Sequence, residues 1–222
     1  NVVDAEVAVL TTLALEHTDW LGPDLEAIAR TKAGIVRPGA QVVTGGEHDA
    51  AVFEVGDGWT LRPRGTSIFY TDAEGRIRAG LDGAAVFRDG ACAAGEGASN
   101  RAFVGFGRPS RLPARRTSRV LARQWRDALA HDDRTATTHE AGALRTREVE
   151  LDDGSGAVRT DVGLRITDPS ACEAALVRAS VVSLDTGGWT SSVVLVRDLG
   201  VPDALDDTDA ERLLASLRPT GR

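Results

Sequence analysis

Methionine is absent from the 222 residues, and lysine occurs once, at position 32, so every other basic residue is arginine. A chain that opens on Asn1 and has no internal methionine reads as a fragment or interior piece of a longer product. Arginine in place of lysine, beside abundant Ala, Gly, Asp and Val, reflects GC-rich coding more than a function. No apolar run approaches the roughly 18 residues a bilayer-crossing helix needs, which argues against a membrane span. No signal peptide is read at the start, which a mature secreted protein would lack as well. The formal charge of −7 weighs against nucleic acid or a membrane surface as a partner, because phosphate contacts need a basic face. A phosphate-binding loop of the G-x-x-x-x-G-K-[ST] kind is also missing, since the one lysine stands in a different context. The two cysteines lack Cys-x-x-Cys or other metal-ligand spacing, which weighs against zinc.

What is present suffices for a core: 42% of residues are apolar and 27% charged, within ordinary globular usage for one large or two small domains. The first stretch reads as strand, helix, strand. Val7-Ala8-Val9-Leu10 is a short apolar run of the kind buried in a parallel sheet. Gly22-Pro23-Asp24 opens a helix with acids in its first turn, and Gly34 closes it. Gln41-Val42-Val43 forms the next strand. After Glu47 the texture changes to short strand-like runs at Trp59–Leu61, Ser67–Tyr70, Ala84–Phe87 and Ala102–Phe106, divided by Gly, Asp and Pro.

A single amphipathic helix is expected over Arg115–His131, with Val120, Leu121, Gln124, Trp125, Ala128 and Leu129 on its apolar side. Longer strands follow at Arg145–Leu151, Val158–Ile166, Leu176–Leu184 and Trp189–Val196, and a closing helix at Asp207–Leu217. Strands in runs, without alternating helices, imply an α+β domain with an antiparallel sheet. The expected organisation is a βαβ segment over 1–46, a junction at 47–56 and the α+β domain at 57–222.

Chemistry concentrates in the first segment. Leu25, Ile28 and Ala29 mark the apolar face of the first helix, and Lys32 takes the i+7 position on that face. A lysine there either snorkels its ammonium to water or loses its charge and becomes a nucleophilic amine. His17 follows the first strand, at the end of a parallel sheet where α/β proteins place ligands. His48, His131 and His139 have no partner at a recognisable spacing. Ser99-Asn100 and Asp152-Asp153-Gly154 read as turn chemistry.

The wording Thr11-Thr12-Leu13-Ala14-Leu15-Glu16-His17-Thr18-Asp19-Trp20-Leu21-Gly22-Pro23, followed by Lys32-Ala33-Gly34-Ile35, resembles the bifunctional dihydrofolate synthase and folylpolyglutamate synthase family of the Mur-ligase superfamily. Asn1-Val2-Val3-Asp4 fits the same stretch, and Glu16 departs from the Asp usual before the histidine. The resemblance implies that His17 ligates Mg²⁺ and that Lys32 is carbamylated, giving the oxygen donor a hard cation prefers. The activity it implies phosphorylates a carboxylate with ATP, after which a glutamate amine attacks the acyl phosphate. Folate and glutamate would be the small-molecule substrates and the cytoplasm the location. Lacking a phosphate loop and a glutamate-binding domain, the chain is expected to be an inactive ligase fragment, possessing no catalytic residue of its own.

Beyond about residue 53 a looser resemblance takes over. Gly58-Trp59-Thr60, Cys92, Cys172 and the ending Asp198–Leu205 with Leu217-Arg218-Pro219 are similar to secreted or lipoprotein-anchored actinobacterial domains of Mog1/PsbP-like α+β fold. Cys92 and Cys172 admit one disulfide in an oxidising compartment or two buried thiols in a reducing one. The alternative function is therefore a non-enzymatic binding domain of the secreted or cell-envelope type.

Overall fold

A computed structural model describes residues 7–10, 41–44, 51–63, 66–72, 74–93, 98–130, 139–167, 169 and 171–220. In chain order the strands are β1 (Val7–Leu10), β2 (Gln41–Thr44), β3 (Ala51–Glu54), β4 (Trp59–Leu61), β5 (Ile68–Thr71), β6 (Ile77–Phe87), β7 (Cys92–Ala93), β8 (Ala98–Ser99) and β9 (Ala102–Phe106). Helix α1 (Ala114–Leu129) follows. After it come β10 (His139–Ala141), β11 (Arg145–Glu150), β12 (Gly156–Ile166), β13 (Leu176–Asp185) and β14 (Thr190–Leu199), then helix α2 (Asp207–Ala215) and β15 (Arg218–Pro219).

The centre of the molecule is an antiparallel sheet of order β12-β13-β14-β9-β6. Two short strands share each outer edge: β10 and β11 pair successively with β12, and β4 and β5 with β6. Alternation along β14 shows why the sheet is buried on both faces. Val193 and Leu195 join one hydrophobic cluster, while Val194 and Val196 join the other. The latter face is covered by α1, whose Leu121, Ala122, Trp125 and Ala128 pack on it. The opposite face is covered by Phe53, Val55 and the α2 residues Ala210, Leu213 and Leu214.

Where β6 meets β9 the register shifts between Asp82 and Ala85. Gly105 faces that irregularity, and a Cβ there would lie 3.0 Å from both Asp82 O and Leu81 Cβ, so the site favours glycine.

The fold is α+β, and the expected antiparallel strands and both expected helices of the larger domain are present. Two details differ from the sequence reading. Val120 and Gln124, assigned to the apolar side of the helix, are exposed, and Thr117 and Ser118 are buried instead. Both hydroxyls are satisfied: Thr117 Oγ1 donates to Leu112 O at 2.9 Å, and Ser118 Oγ lies 2.9 Å from Thr160 Oγ1 on β12. The run at Ala84–Phe87 is the end of an eleven-residue strand, β6, whose first half is interrupted by Gly80 and Asp82 and so lacks a clear apolar signal.

β1 and β2 pair in parallel, as the βαβ reading requires, and the helix expected between them lies outside the described residues. The stretch expected to be a junction, 47–56, contributes β3, which pairs with β2 on one edge and β15 on the other. Its Ala51, Phe53 and Val55 are core residues.

Candidate binding cavity

Helix α1 ends at Leu129, but the strands beneath it continue. Pairing places Val162, Ala179, Val196 and Phe103 on one rung of the α1 face. The next rung carries Leu164, Val177 and Asp198, beside Arg101, whose carbonyl accepts from Asp198 N–H at 2.9 Å. Past the end of the helix this second rung opens into a cavity of about 360 Å³. Its apolar wall comprises Tyr70, Phe103, Leu129, Leu164, Val177 and Val196. Tyr70 and Phe103 also close on Trp125, at ring-centroid separations of 5.7 and 5.6 Å, which fixes the aromatic side of the wall.

Polar groups gather at one end. Arg101 Nη1 donates to Asp198 Oδ2 and to Cys172 O, each at 3.2 Å, and this arginine is nearly buried. Its Nε is buried and has no hydrogen-bond partner among the described residues. Burial pushes the Asp198 carboxyl above the usual carboxylate range; the Arg101 hydrogen bond and charge oppose that rise, and the nearby Glu173 adds to it. Glu173, Ser99 and Asn100 complete this polar end.

Cys92 and Cys172 form a disulfide with Cα atoms 5.6 Å apart. It ties the small β7–β8 hairpin to the connection between β12 and β13, the segment that brings Glu173 and Ala174 to the cavity. The site thus combines an apolar wall, a few convergent polar groups and a pinned rim, which is the usual make-up of a small-molecule pocket. Among the described residues no group of His, Cys, Asp and Glu is placed to hold a metal ion.

His17 and Lys32 lie outside the described residues. Of the histidines, His139 falls in edge strand β10. Ser99 and Asn100, read as turn residues, stand on the cavity rim. Sequence reasoning missed Arg101 and Asp198, which are 97 positions apart. The available signal was a charged residue at the end of each of two strongly apolar strands.

A second charged cluster lies on the opposite face and serves the fold. Arg159, nearly buried, donates to Asp161 at 2.8 Å and to Glu211 of α2 at 2.6 Å. Arg197, also buried, donates to Leu205 O at 2.9 Å and pairs with Asp207 at the start of α2. These contacts lock α2 onto the sheet.

An antiparallel sheet between one long helix and a second layer defines a domain of the α+β class. Residues 34–222 match the family described as domain of unknown function (DUF8017), and the chain belongs to that family. A shorter likeness is to the dihydrofolate synthase/folylpolyglutamate synthase of Escherichia coli (strain K12), 60% identical over 45 residues, covering 20% of this chain and 11% of that protein. The folylpolyglutamate synthase of Lacticaseibacillus casei is 38% identical over 96 residues, covering 35% of this chain and 22% of that one. The chain therefore spans only a minor part of the curated relatives it matches. Among solved structures, cyanobacterial PsbP (CyanoP) from Synechocystis sp. PCC 6803 aligns with a TM-score of 0.42 and 14% identity over 80% of this chain and 91% of that one.

Proposed function

We propose that the α+β domain is a non-enzymatic binding domain of an oxidising compartment, secreted or held at the cell envelope, whose cavity beside Cys172 takes a small amphipathic molecule. The observation that carries this reading is the cavity itself, with Tyr70, Phe103 and Val196 on one side and the Arg101–Asp198 pair at its end. An apolar body would gain from leaving water along the wall, at roughly 25 cal/mol per Å² of area buried. A polar head would be oriented by the buried pair, which costs little to preorganise because the fold already holds it. The Cys92–Cys172 bond supports the compartment, since disulfides persist where thiols are not kept reduced.

Ligand-observed NMR with a panel of aromatic and aliphatic amines, alcohols and carboxylates tests the site. Binders should appear for the wild-type protein and vanish for Val177→Trp, in which an indole fills the cavity. Binders that ignore Val177→Trp would place the site elsewhere, and a panel with no binder would remove the support for this reading.

The 60% identity of a 45-residue stretch to a folate ligase favours a second reading, of ancestry. In it, the first 46 residues descend from the metal-site segment of such an enzyme, where a histidine in the place of His17 and a carbamylated lysine in the place of Lys32 would hold Mg²⁺ for ATP chemistry. Both residues lie outside the described ones. The chain is proposed not to add glutamate to folate, and incorporation of labelled glutamate by the purified protein with ATP, Mg²⁺ and dihydrofolate would overturn that.

A further inference from the structure

We propose that the arginine face of α1 docks on an anionic lipid surface. Residues 97–126 contain eight arginines and no Asp or Glu, so a chain of net charge −7 carries +8 in this stretch and −15 elsewhere. Charge is segregated here, and the overall acidity that argued against an anionic partner does not describe this face. Arg101 and Arg126 are paired with Asp198 and Asp127. The other six (Arg108, Arg111, Arg115, Arg116, Arg119 and Arg123) are all exposed, and none has an ion-pair partner among the described residues. Arg119 donates to Thr146 Oγ1 at 3.2 Å, and Arg111 lies over the Trp189 ring at 4.6 Å.

Folding does not account for this placement. Arg115 and Arg116 sit in the first turn of α1, which holds no acidic residue and has no side-chain cap. Cations there oppose the helix dipole, whose N-terminal end is positive. An anionic partner would reverse that conflict, because dipole and guanidinium groups would then attract the same charge.

The geometry selects a surface in preference to a groove. Arg115, Arg116, Arg119 and Arg123 fall within about 100° of the helix circumference and along about 12 Å of its axis, a convex stripe that a plane can touch at once. Their spacing is of the order of the Debye length in physiological salt, about 8 Å, so their fields add. Between them lies a shallow depression of about 460 Å³ floored by Pro113 and Val120. Val120 is 46% exposed, Leu112 37% and Trp189 44%, three apolar side chains set among the cations. Arginine interleaved with exposed Val, Leu and Trp matches the interface of a bilayer, where guanidinium groups meet phosphate and apolar side chains enter the acyl boundary. An acidic protein or a nucleic acid would use the arginines and leave those apolar groups without a role.

Flotation of the full oxidised chain tests this, with vesicles of phosphatidylcholine alone and vesicles containing roughly one-third phosphatidylglycerol. Binding is expected only to the anionic vesicles, and should fall as salt is raised. Each basic residue at such a surface contributes about fivefold, so replacing Arg115, Arg116, Arg119 and Arg123 with Gln should weaken binding by more than about a hundredfold. The corresponding Lys variant should retain binding within about tenfold, since a diffuse surface charge does not require guanidinium geometry. Thermal unfolding of the Gln variant should be unchanged or higher, which separates lost docking from lost fold. Equal binding to both vesicle types, full retention by the Gln variant, or binding to polyglutamate or heparin as tight as to the vesicles would each overturn the proposal.

Discussion

Breaking the Cys92–Cys172 bond is the perturbation whose size follows most directly from the structure. The two residues are 80 apart in sequence. Closing a loop of that length in the unfolded chain removes entropy equivalent to about 4.5 kcal/mol at 25 °C by the chain-entropy relation. Domains are stable by roughly 5–15 kcal/mol in all, so the bond supplies a third or more of the total for a domain near the middle of that range. The native side adds a local effect. Without the bond, the segment that bears Glu173 and Ala174 is left to hydrogen bonds such as those from Arg101 to Cys172 O and from Ile166 N–H to Ala175 O. The Cys92→Ala/Cys172→Ala double variant should therefore show a lower urea midpoint, with a loss of about 2–5 kcal/mol. Its m-value should also rise, because an unfolded chain without the cross-link exposes more surface. Non-reducing peptide mapping of the parent must first show the linked pair. A loss below about 1 kcal/mol from a parent that is fully linked would refute the assignment of stability to that loop closure.

Trp125 has no exposed surface and contacts Tyr70 and Phe103, so Trp125→Ala should cost about 3–5 kcal/mol in chemical denaturation, and a loss under 1.5 would mean the core refills the space. Asp161→Ala should cost about 2–3 kcal/mol, below the usual range for a broken buried pair because Arg159 keeps Glu211, whereas Glu211→Gln, at a half-exposed partner, should cost under about 1; equal losses would contradict this ordering. Asp198 offers a pH test. Its carboxyl is raised by burial, so protonation favours the folded state, and that contribution is full at low pH and lost as pH climbs through the raised value. Stability of the wild type relative to Asp198→Asn should therefore fall as pH rises from about 4 toward neutrality, and a difference that stays flat across that window would show that burial does not control the group.

Much of the larger domain is written in local pattern, and what is not depends on distance along the chain. Val158–Ile166, Leu176–Leu184 and Trp189–Val196 announce themselves as strands because their apolar residues are dense and β-branched. Trp125 and Leu121 likewise mark the helix face that the sheet receives. Val120 misled the face assignment because hydropathy counts a residue as buried wherever it sits near others. The sheet instead selected Thr117 and Ser118, whose hydroxyls found partners at Leu112, just before the helix, and at Thr160, which no local window contains. The cavity was illegible for the same reason. Arg101 and Asp198 meet because β9 pairs with β14, a contact between strands separated by a helix and four further strands, and neither residue is unusual in its own neighbourhood.

The ligase-like wording and the family match overlap in sequence, since the former runs to about Gly46 and the latter begins at residue 34. Strand β2, at Gln41–Thr44, lies in the overlap and is hydrogen-bonded on both sides. One neighbour is β1 in parallel, as a βαβ unit demands; the other is β3 antiparallel, which that unit does not supply. β3 in turn pairs with β15 at the far end of the chain, and Glu54 adds ties to Ser216 and Arg218, its N–H donating to Ser216 Oγ at 2.8 Å. A segment with a ligase's wording thus ends in a strand whose second edge is satisfied only by this domain. An isolated parallel pair would leave β2 with an unpaired edge. Backbone pairing of β2 with both β1 and β3 thus joins the ligase-like stretch to the strands that β15 completes.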